Sequence, residues 1–281
     1  MIYLGCAGWS YQHWRGTFYP KGTRNELEYY AKYSQFNEIN TSYYRIPKDT
    51  QSRLWYWQTP KDFIFSAKLV KDITHPYSPR FQKVENIIEK FFLNMEQLEE
   101  KLQIIIAQFP KFFRYSESNF DFFRQVMGKC RSLFTNKMAV EFRNTSWIKE
   151  DVLKYLQNKS IQIVDTPYIN LQSDAFIDDS FYYIRLLGDR TLMPDEILGK
   201  KFLDKSIELQ EWSKKISELA THYDTIFVVI NNRFSGYAIN DAIILYNRFR
   251  KENLTVTGFQ DKTKYLNPKP FQTQLSLNDF F

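Results

Sequence analysis

MAVEFRNTSWIKEDVLKYLQNKSIQIVD, residues 138–165, contains the unit whose repetition indicates the fold. Two short apolar runs, Met138–Phe142 and Ile161–Asp165, flank the longer amphipathic run Lys149–Asn158. Short runs rich in β-branched or aromatic residues are typical of buried parallel strands, whereas the middle run has the length and spacing of a helix. The stretch therefore predicts a strand, a helix and a second strand parallel to the first.

The same alternation continues through residues 1–250. Further strands are predicted at Ile2–Cys6, Phe36–Asn40, Phe63–Ala67, Ile104–Gln108, Phe181–Leu186 and Thr225–Ile230. Further helices are predicted at Glu26–Ser34, Gln82–Leu102, Ser118–Arg131, Asp204–His222 and Asp241–Phe249. Eight strand–helix units in about 250 residues indicate an α/β protein with a TIM-type (β/α)8 barrel. An open doubly wound sheet is the alternative, but no G-x-G-x-x-G follows the first strand.

Composition excludes several classes of protein. Hydrophobic residues make up 43% of the chain and charged residues 25%, which excludes a disordered chain. Two cysteines, Cys6 and Cys130, exclude a disulfide scaffold and a multi-cysteine metal cluster. No run approaches the roughly 18 apolar residues of a membrane span, so we expect a cytoplasmic protein with no membrane partner. The net charge of +6 allows an anionic ligand.

Polar residues cluster where the predicted strands end, which is where a TIM barrel carries its active site. We expect Glu38, Lys68, Glu141, Arg143, Asp165 and Arg185 to converge on one rim. The candidate catalytic residues are Glu38, Asn40, Glu141 and Asp165. The candidate phosphate- or substrate-binding residues are Trp9, Tyr11, Tyr43, Arg45, Lys68, Gln108, Arg143, Trp147, Arg185 and Asn231. A structural ion-pair network inside the barrel is the alternative interpretation of the charged members.

The residue types in the sequence limit which metal ions the protein could bind. The three histidines, His13, His75 and His222, do not form a zinc signature, and no H-E-x-x-H occurs. A Mg2+ or Mn2+ ion bound by carboxylates stays open as a cofactor, because hard cations prefer oxygen ligands.

Several motifs in a fixed order resemble one protein family. They are Gly5-Cys-Ala-Gly-Trp-Ser-Tyr11, Phe18-Tyr-Pro20, Phe36-Asn-Glu-Ile-Asn-Thr-Ser-Tyr-Tyr-Arg-Ile-Pro47, Gln108-Phe-Pro110, Val140-Glu-Phe-Arg-Asn-Thr-Ser-Trp147, Tyr183-Ile-Arg185 and Asn231-Asn232. Together they resemble the DUF72 (YecE-like) family over residues 1–250. The resemblance implies a TIM-type barrel and no established activity. The family tends to have a histidine where this sequence has Leu187, so histidine chemistry at that position is not expected.

After Lys251 the sequence becomes polar and contains Pro268 and Pro270, which predicts an extended tail over residues 251–281. The tail ends in an octapeptide that matches Q-x-x-h-x-x-a-a, the PIP box of proteins that bind PCNA-type sliding clamps. One helical turn would gather its apolar members into a single plug. The proposed clamp-binding residues are Gln274, Leu277, Phe280 and Phe281.

These features predict a DNA-repair or nucleic-acid-processing enzyme, hydrolase- or nuclease-like, that a PCNA-type clamp recruits to DNA. Such clamps belong to archaea and eukaryotes, so an archaeal source is expected. Glu141 or Asp165 would act as general base or hold a metal ion, and DNA or a nucleotide would be the ligand. The alternatives are a non-catalytic clamp-bound accessory factor, and an enzyme acting on a small phosphorylated or sugar-like substrate.

Overall fold

Eight parallel strands form the inner wall of the molecule in this computed structural model, which describes residues 1–76, 79–168, 180–189, 191–193 and 198–259. The strands are β1 Ile2–Ala7, β2 Phe36–Ile39, β3 Ile64–Lys68, β4 Leu102–Phe109, β5 Lys137–Phe142, β6 Ile161–Ile163, β7 Phe181–Leu186 and β8 Thr225–Ile230. Their order is β6-β5-β4-β3-β2-β1-β8-β7. Backbone hydrogen bonds of Asp165 with Tyr183 and Arg185, both 2.9 Å, close the circle. The predicted TIM-type barrel is confirmed.

Helices lie between the strands on the outer face. In the described part of the chain they are α1 Glu26–Tyr30, α2 Asp49–Trp57, α3 Lys71–Thr74, α4 Phe81–Met95, α5 Glu117–Leu133, α6 Glu150–Asn158, α7 Ser206–Leu219 and α8 Ala238–Lys251. Helices α2 and α3 were not predicted, because α2 is short and mostly polar and α3 has only one turn.

The predicted helix Gln82–Leu102 is wrong at its end. Helix α4 stops at Met95, a 3-10 segment covers Glu96–Lys101, and β4 begins at the next residue. Glu99 adopts a positive φ of 49°, which interrupts helical geometry. The buried Lys101 amine then donates to main-chain oxygens of residues 56 and 59 at 2.6 and 2.8 Å, which ties the entry of β4 to the end of α2.

Strand residues alternate between two hydrophobic layers. Every second residue faces the barrel interior, where the buried apolar cluster comprises Ala7, Phe36, Ile104, Ile106, Ala139, Val164, Phe181, Tyr183, Phe227 and Val229. The larger cluster lies between the strands and the helices. Because side chains two apart on a strand share a face, Glu38, Glu141 and Arg185 continue the interior rows of Phe36, Ala139 and Tyr183. This parity directs three charged groups into the barrel.

The chain returns to the barrel after α8. A short ninth strand, β9 Val256–Thr257, pairs in parallel with β1, and Phe259 is buried against Phe18 and Tyr30. Residues 252–259, expected to begin the tail, therefore pack on the barrel. The octapeptide 274–281, which the sequence predicts to bind a clamp, lies outside the described residues. No helix among the described residues is long and apolar enough to cross a membrane.

Candidate functional site

Arg185 joins two carboxylates across the interior of the barrel. From β7, its Nη2 donates to Oε1 of Glu38 on β2 at 2.8 Å, and its Nη1 donates to Oε2 of Glu141 on β5. All three side chains are buried. An isolated charge would be very costly at this depth, so each of the three requires its partners.

The second carboxylate oxygen of Glu38 is also occupied. Its Oε2 accepts a hydrogen bond from the Tyr183 hydroxyl at 3.1 Å, and that hydroxyl lies 2.7 Å from the Ser66 hydroxyl. Burial raises the pKa of Tyr183 well above its ordinary value, and the charge of Glu38 adds to this effect. The phenol therefore stays protonated and serves as a fixed donor beneath the site.

Glu141 is held in its charged form. Its Oε1 accepts a hydrogen bond from Arg143 Nε, and its Oε2 is bound by Arg185. Burial alone would raise the pKa of Glu141, but the two guanidinium groups hold that pKa at about 2. A carboxylate with this pKa and these partners is a poor proton acceptor at neutral pH. Glu141 instead holds Arg143 in place at the mouth, which we define as the end of the barrel where the carboxyl ends of the strands lie.

Lys68, the last residue of β3, is the third cationic group at the mouth. Its amine donates to Gln108 Oε1 at 2.7 Å and lies 4.1 Å from the centre of the Tyr43 ring. Burial, reinforced by the positive charge of Arg185, lowers the pKa of Lys68 to about 7. The amine is therefore partly neutral near physiological pH.

Tyr43 and His75 form a pair beside this amine. The Tyr43 hydroxyl lies 2.8 Å from His75 Nε2, and His75 Nδ1 lies 2.9 Å from the Thr74 hydroxyl. Burial, and then the charge of Lys68, lowers the pKa of His75 to about 4. His75 is thus a neutral hydrogen-bonding group at neutral pH.

Arg143 packs under an exposed aromatic ring. Its guanidinium carbon lies 4.5 Å from the centre of the Tyr168 ring, and the Tyr168 hydroxyl donates to the main-chain oxygen of Gly188 at 2.6 Å. Tyr168 was missed in the sequence, although it lies just after β6, where a loop residue of the mouth is expected. Leu187, where the resemblance led us not to expect histidine chemistry, is buried.

Two predicted site residues lie elsewhere. Asp165 points outward, where its Oδ2 is 2.6 Å from Lys215 Nζ and accepts from the Tyr182 hydroxyl at 2.9 Å. The preceding residue, Val164, faces the interior, so strand alternation turns Asp165 to the outside. Trp147 is fully buried and donates through Nε1 to the main-chain oxygen of residue 113 at 2.6 Å, so it cannot form a stacking wall of the mouth.

The remaining predicted residues line a cavity beside the mouth. Its volume is about 1090 Å3, and it lies among the loops that follow β1, β2 and β8. Sequence-predicted residues in its wall are Trp9, Tyr11, Asn40, Arg45 and Asn231. Arg24, Lys48 and Arg233 also line it and were not predicted from the sequence, whereas Tyr44 was placed after the second strand but not among the binding residues.

The carboxylates at the mouth do not fit the expected Mg2+ or Mn2+ site. All four oxygens of Glu38 and Glu141 accept hydrogen bonds from arginine or tyrosine, and Asp165 lies on the other face of the wall. Among the residues that the structure describes, no group of three histidine, cysteine or carboxylate side chains could hold a metal ion.

A family model described as "Protein of unknown function DUF72" matches residues 3–265. The chain belongs to the DUF72 family. It is similar to the UPF0759 protein YunF of Bacillus subtilis, with 25% identity over 86% of this chain and 92% of the relative. The UPF0759 protein YecE of Escherichia coli is 29% identical over 40% of this chain and 39% of its own length. Of solved structures, a DUF72 protein from Thermotoga maritima matches with a TM-score of 0.70 and 25% identity, over 89% of this chain and 99% of that one. Another, from Enterococcus faecalis, has a TM-score of 0.72 and 21% identity, over 93% and 99%.

Acid should destabilise this DUF72 barrel through Glu141. Because the folded pKa of about 2 lies below the ordinary value of 4.5, the stability that Glu141 contributes is complete above pH 4.5 and is lost as the pH falls toward 2. We expect the urea midpoint to fall across this window in the wild type. The fall should be smaller for Glu141→Gln, which has no carboxylate to protonate. Equal pH profiles for the two proteins would contradict this assignment.

Proposed function

We propose that this DUF72 protein is an enzyme that processes nucleic acid in DNA repair, with its reaction centre at the barrel mouth and its terminal octapeptide bound to a PCNA-type sliding clamp. The proposal rests first on the cavity beside the mouth. Five basic side chains line it, and Glu26 is the one acidic residue in its described wall; the basic residues are Arg15, Arg24, Arg45, Lys48 and Arg233. A groove with such an excess of positive charge attracts a phosphate backbone.

Aromatic groups in the same wall support a ligand that carries bases. Tyr44, which is 61% exposed, is the ring in the described lining that is most open to stacking, Tyr11 is partly exposed, and Trp9 and Trp55 line the cavity but are largely buried. Basic residues that follow a phosphate backbone, combined with rings on which bases stack, are typical of single-stranded nucleic-acid binding. An enzyme for a small sugar phosphate would need the mouth but not this adjoining cavity.

The mouth supplies a place for a reacting phosphate group. Arg185 and Arg143 together compensate Glu38 and Glu141, so Lys68 is the cation at the mouth that no described carboxylate neutralises, and Arg143, whose side chain is 23% exposed, is the guanidinium that a ligand can reach. The expected structural network and the expected binding site therefore coexist: the buried carboxylates hold the arginines, and the outer cations meet the substrate. Glu141 then orients Arg143 and is no general base.

The C-terminal octapeptide supplies recruitment in this proposal. A peptide of the form Q-x-x-h-x-x-a-a docks its apolar positions in a groove of the clamp, and attachment to the clamp would raise the concentration of the barrel at DNA. A non-catalytic accessory factor would share this peptide and the cavity, and differs only in lacking turnover.

Labelled DNA tests the proposal. We expect single-stranded, nicked, flapped or abasic DNA to bind, and Arg24→Gln with Arg45→Gln to weaken binding about tenfold and to lower the salt dependence by about two ionic contacts. Lys61→Gln with Lys159→Gln is the matched control, because these exposed lysines precede β3 and β6 at the opposite end of the barrel. Equal affinity of the two double variants would remove the cavity from the proposal. Binding of every DNA without a change in any strand would favour the accessory factor.

A further inference from the structure

Lys68 is a buried lysine whose amine reaches the mouth and, within the described part of the chain, has no carboxylate partner. Its side chain is 4% exposed, and among the described residues it forms no ion pair, because Arg143 and Arg185 occupy both nearby carboxylates. Gln108 accepts from the amine, and the Tyr43 ring lies below it. Both of these neighbours are partly exposed, so the amine lies just beneath the surface of the mouth.

Lys101 shows what a structural lysine looks like in the same barrel. It is 3% exposed, and its amine donates to the main-chain oxygens of Tyr56 and Thr59 and to the Thr59 hydroxyl at 2.6, 2.8 and 3.1 Å. All three hydrogens of its ammonium group are satisfied at the start of β4, opposite the mouth. Lys68 has one hydrogen-bond acceptor among the described residues, so its burial as an ammonium group is not explained by the fold.

We propose that the Lys68 amine forms an imine with the aldehyde or ketone group of a phosphorylated sugar, either free or as the opened deoxyribose of an abasic DNA strand. The choice of a substrate that carries phosphate rests on the proposed function, whereas the reactivity assigned to the amine does not. The neutral amine attacks the carbonyl carbon, a carbon–nitrogen bond forms, and the carbonyl oxygen leaves as water with both amine hydrogens. The step needs no oxidant or reductant. Desolvation and neighbouring cations are what activate a lysine for such a reaction.

Two neighbouring side chains meet the remaining requirements of imine formation, which are binding of the substrate phosphate and protonation of the departing oxygen. Arg143 is the cation beside the amine that can bind the substrate phosphate. The intermediate loses its hydroxyl group only after that oxygen is protonated, and Tyr43 carries a hydroxyl that its burial keeps protonated. Neutral His75 holds this hydroxyl by a hydrogen bond. Tyr43→Phe keeps the ring beneath the amine and removes the acid.

Reduction of the imine by cyanoborohydride, which makes the bond between the lysine and the probe permanent, tests the proposal on the full-length protein. The probes are ribose 5-phosphate, ribose, and an oligonucleotide with one abasic deoxyribose. Near pH 7 a lysine of ordinary pKa is neutral in only about one molecule in 3,000, whereas a pKa of about 7 makes a large fraction of Lys68 neutral. We therefore expect one dominant adduct, mapped by mass spectrometry to the peptide that contains Lys68 and not to that of Lys101.

The variants and the pH profile complete the test. Lys68→Met, which removes a buried charge and should fold, is expected to lower trapping at least 20-fold, and Tyr43→Phe to slow it. Trapping should rise with pH up to about pH 7 and then stop rising, whereas trapping by a lysine of ordinary pKa would depend on an amine that becomes neutral only near pH 10. An adduct that forms equally well in Lys68→Met would overturn the proposal. Binding of DNA without any adduct would also overturn it, but would leave the proposed function intact. An adduct with ribose 5-phosphate but not with DNA would support the amine and contradict the nucleic-acid substrate. Equal trapping of ribose would contradict the requirement for phosphate.

Discussion

Arg185→Met should lower the free energy of unfolding by about 3–5 kcal/mol, because it leaves two buried carboxylates without their shared partner. Methionine fills a similar volume and cannot donate to Glu38 or Glu141, both of which are fully buried. A domain of this kind has a total stability of only about 5–15 kcal/mol, so the variant should be close to unfolding at physiological temperature. Urea denaturation monitored by tryptophan fluorescence measures the change.

Arg143→Met is the matched control for this loss. Arg143 also binds Glu141, but its side chain is 23% exposed and solvent can replace part of the interaction. We expect a loss of about 1 kcal/mol or less. Adding Glu38→Gln and Glu141→Gln to Arg185→Met should restore much of the stability, since neutral amides cost less to bury than lone charges. If Arg185→Met is as stable as the wild type, the three residues are not the electrostatic centre of the barrel.

How far the sequence predicts the fold depends on the periodicity of each element. The strands were predictable because buried parallel strands are short apolar runs between polar clusters, as in Thr225–Ile230, which was predicted with the bounds that the structure has. Helix α2 was missed because its apolar residues, Leu54–Trp57, form one consecutive run at the end of DTQSRLWYW instead of recurring at helical spacing. The end of α4 was missed because the contacts of Lys101 that fix it come from residues more than 40 positions earlier.

The site was predictable to the extent that strand parity was applied. Glu38, Lys68, Glu141, Arg143 and Arg185 all lie in register with interior residues of their strands, and the structure brings these five together. The same rule, counted from Val164, would have placed Asp165 outside. The cavity residues Arg24 and Lys48 had no such signal, because they lie in loops whose course is set by tertiary contacts.

Replacement of Phe280 and Phe281 by alanine should weaken binding of the full-length chain to its cognate PCNA-type clamp by about a hundredfold or more. These residues are the two aromatic anchors of the motif, and removal of a buried aromatic anchor at an interface typically costs at least about 2 kcal/mol. Gln274 and Leu277 alone would leave too little apolar surface to hold the peptide. Calorimetry or surface plasmon resonance with the purified clamp measures the loss.

Phe271→Ala with Leu275→Ala is the matched control, because it removes two apolar side chains from the same tail at positions that the motif leaves open. We expect this variant to bind the clamp within about threefold of the wild type. Both tail variants should bind DNA as the wild type does, since the cavity and the mouth lie in the barrel. If the two variants bind the clamp equally well, the octapeptide is not a clamp-binding motif, and the case for DNA repair then rests on the basic cavity alone. If only the Phe280 and Phe281 variant fails, recruitment and substrate binding are separate functions of separate parts of one chain, which is the organisation that a clamp-tethered enzyme requires.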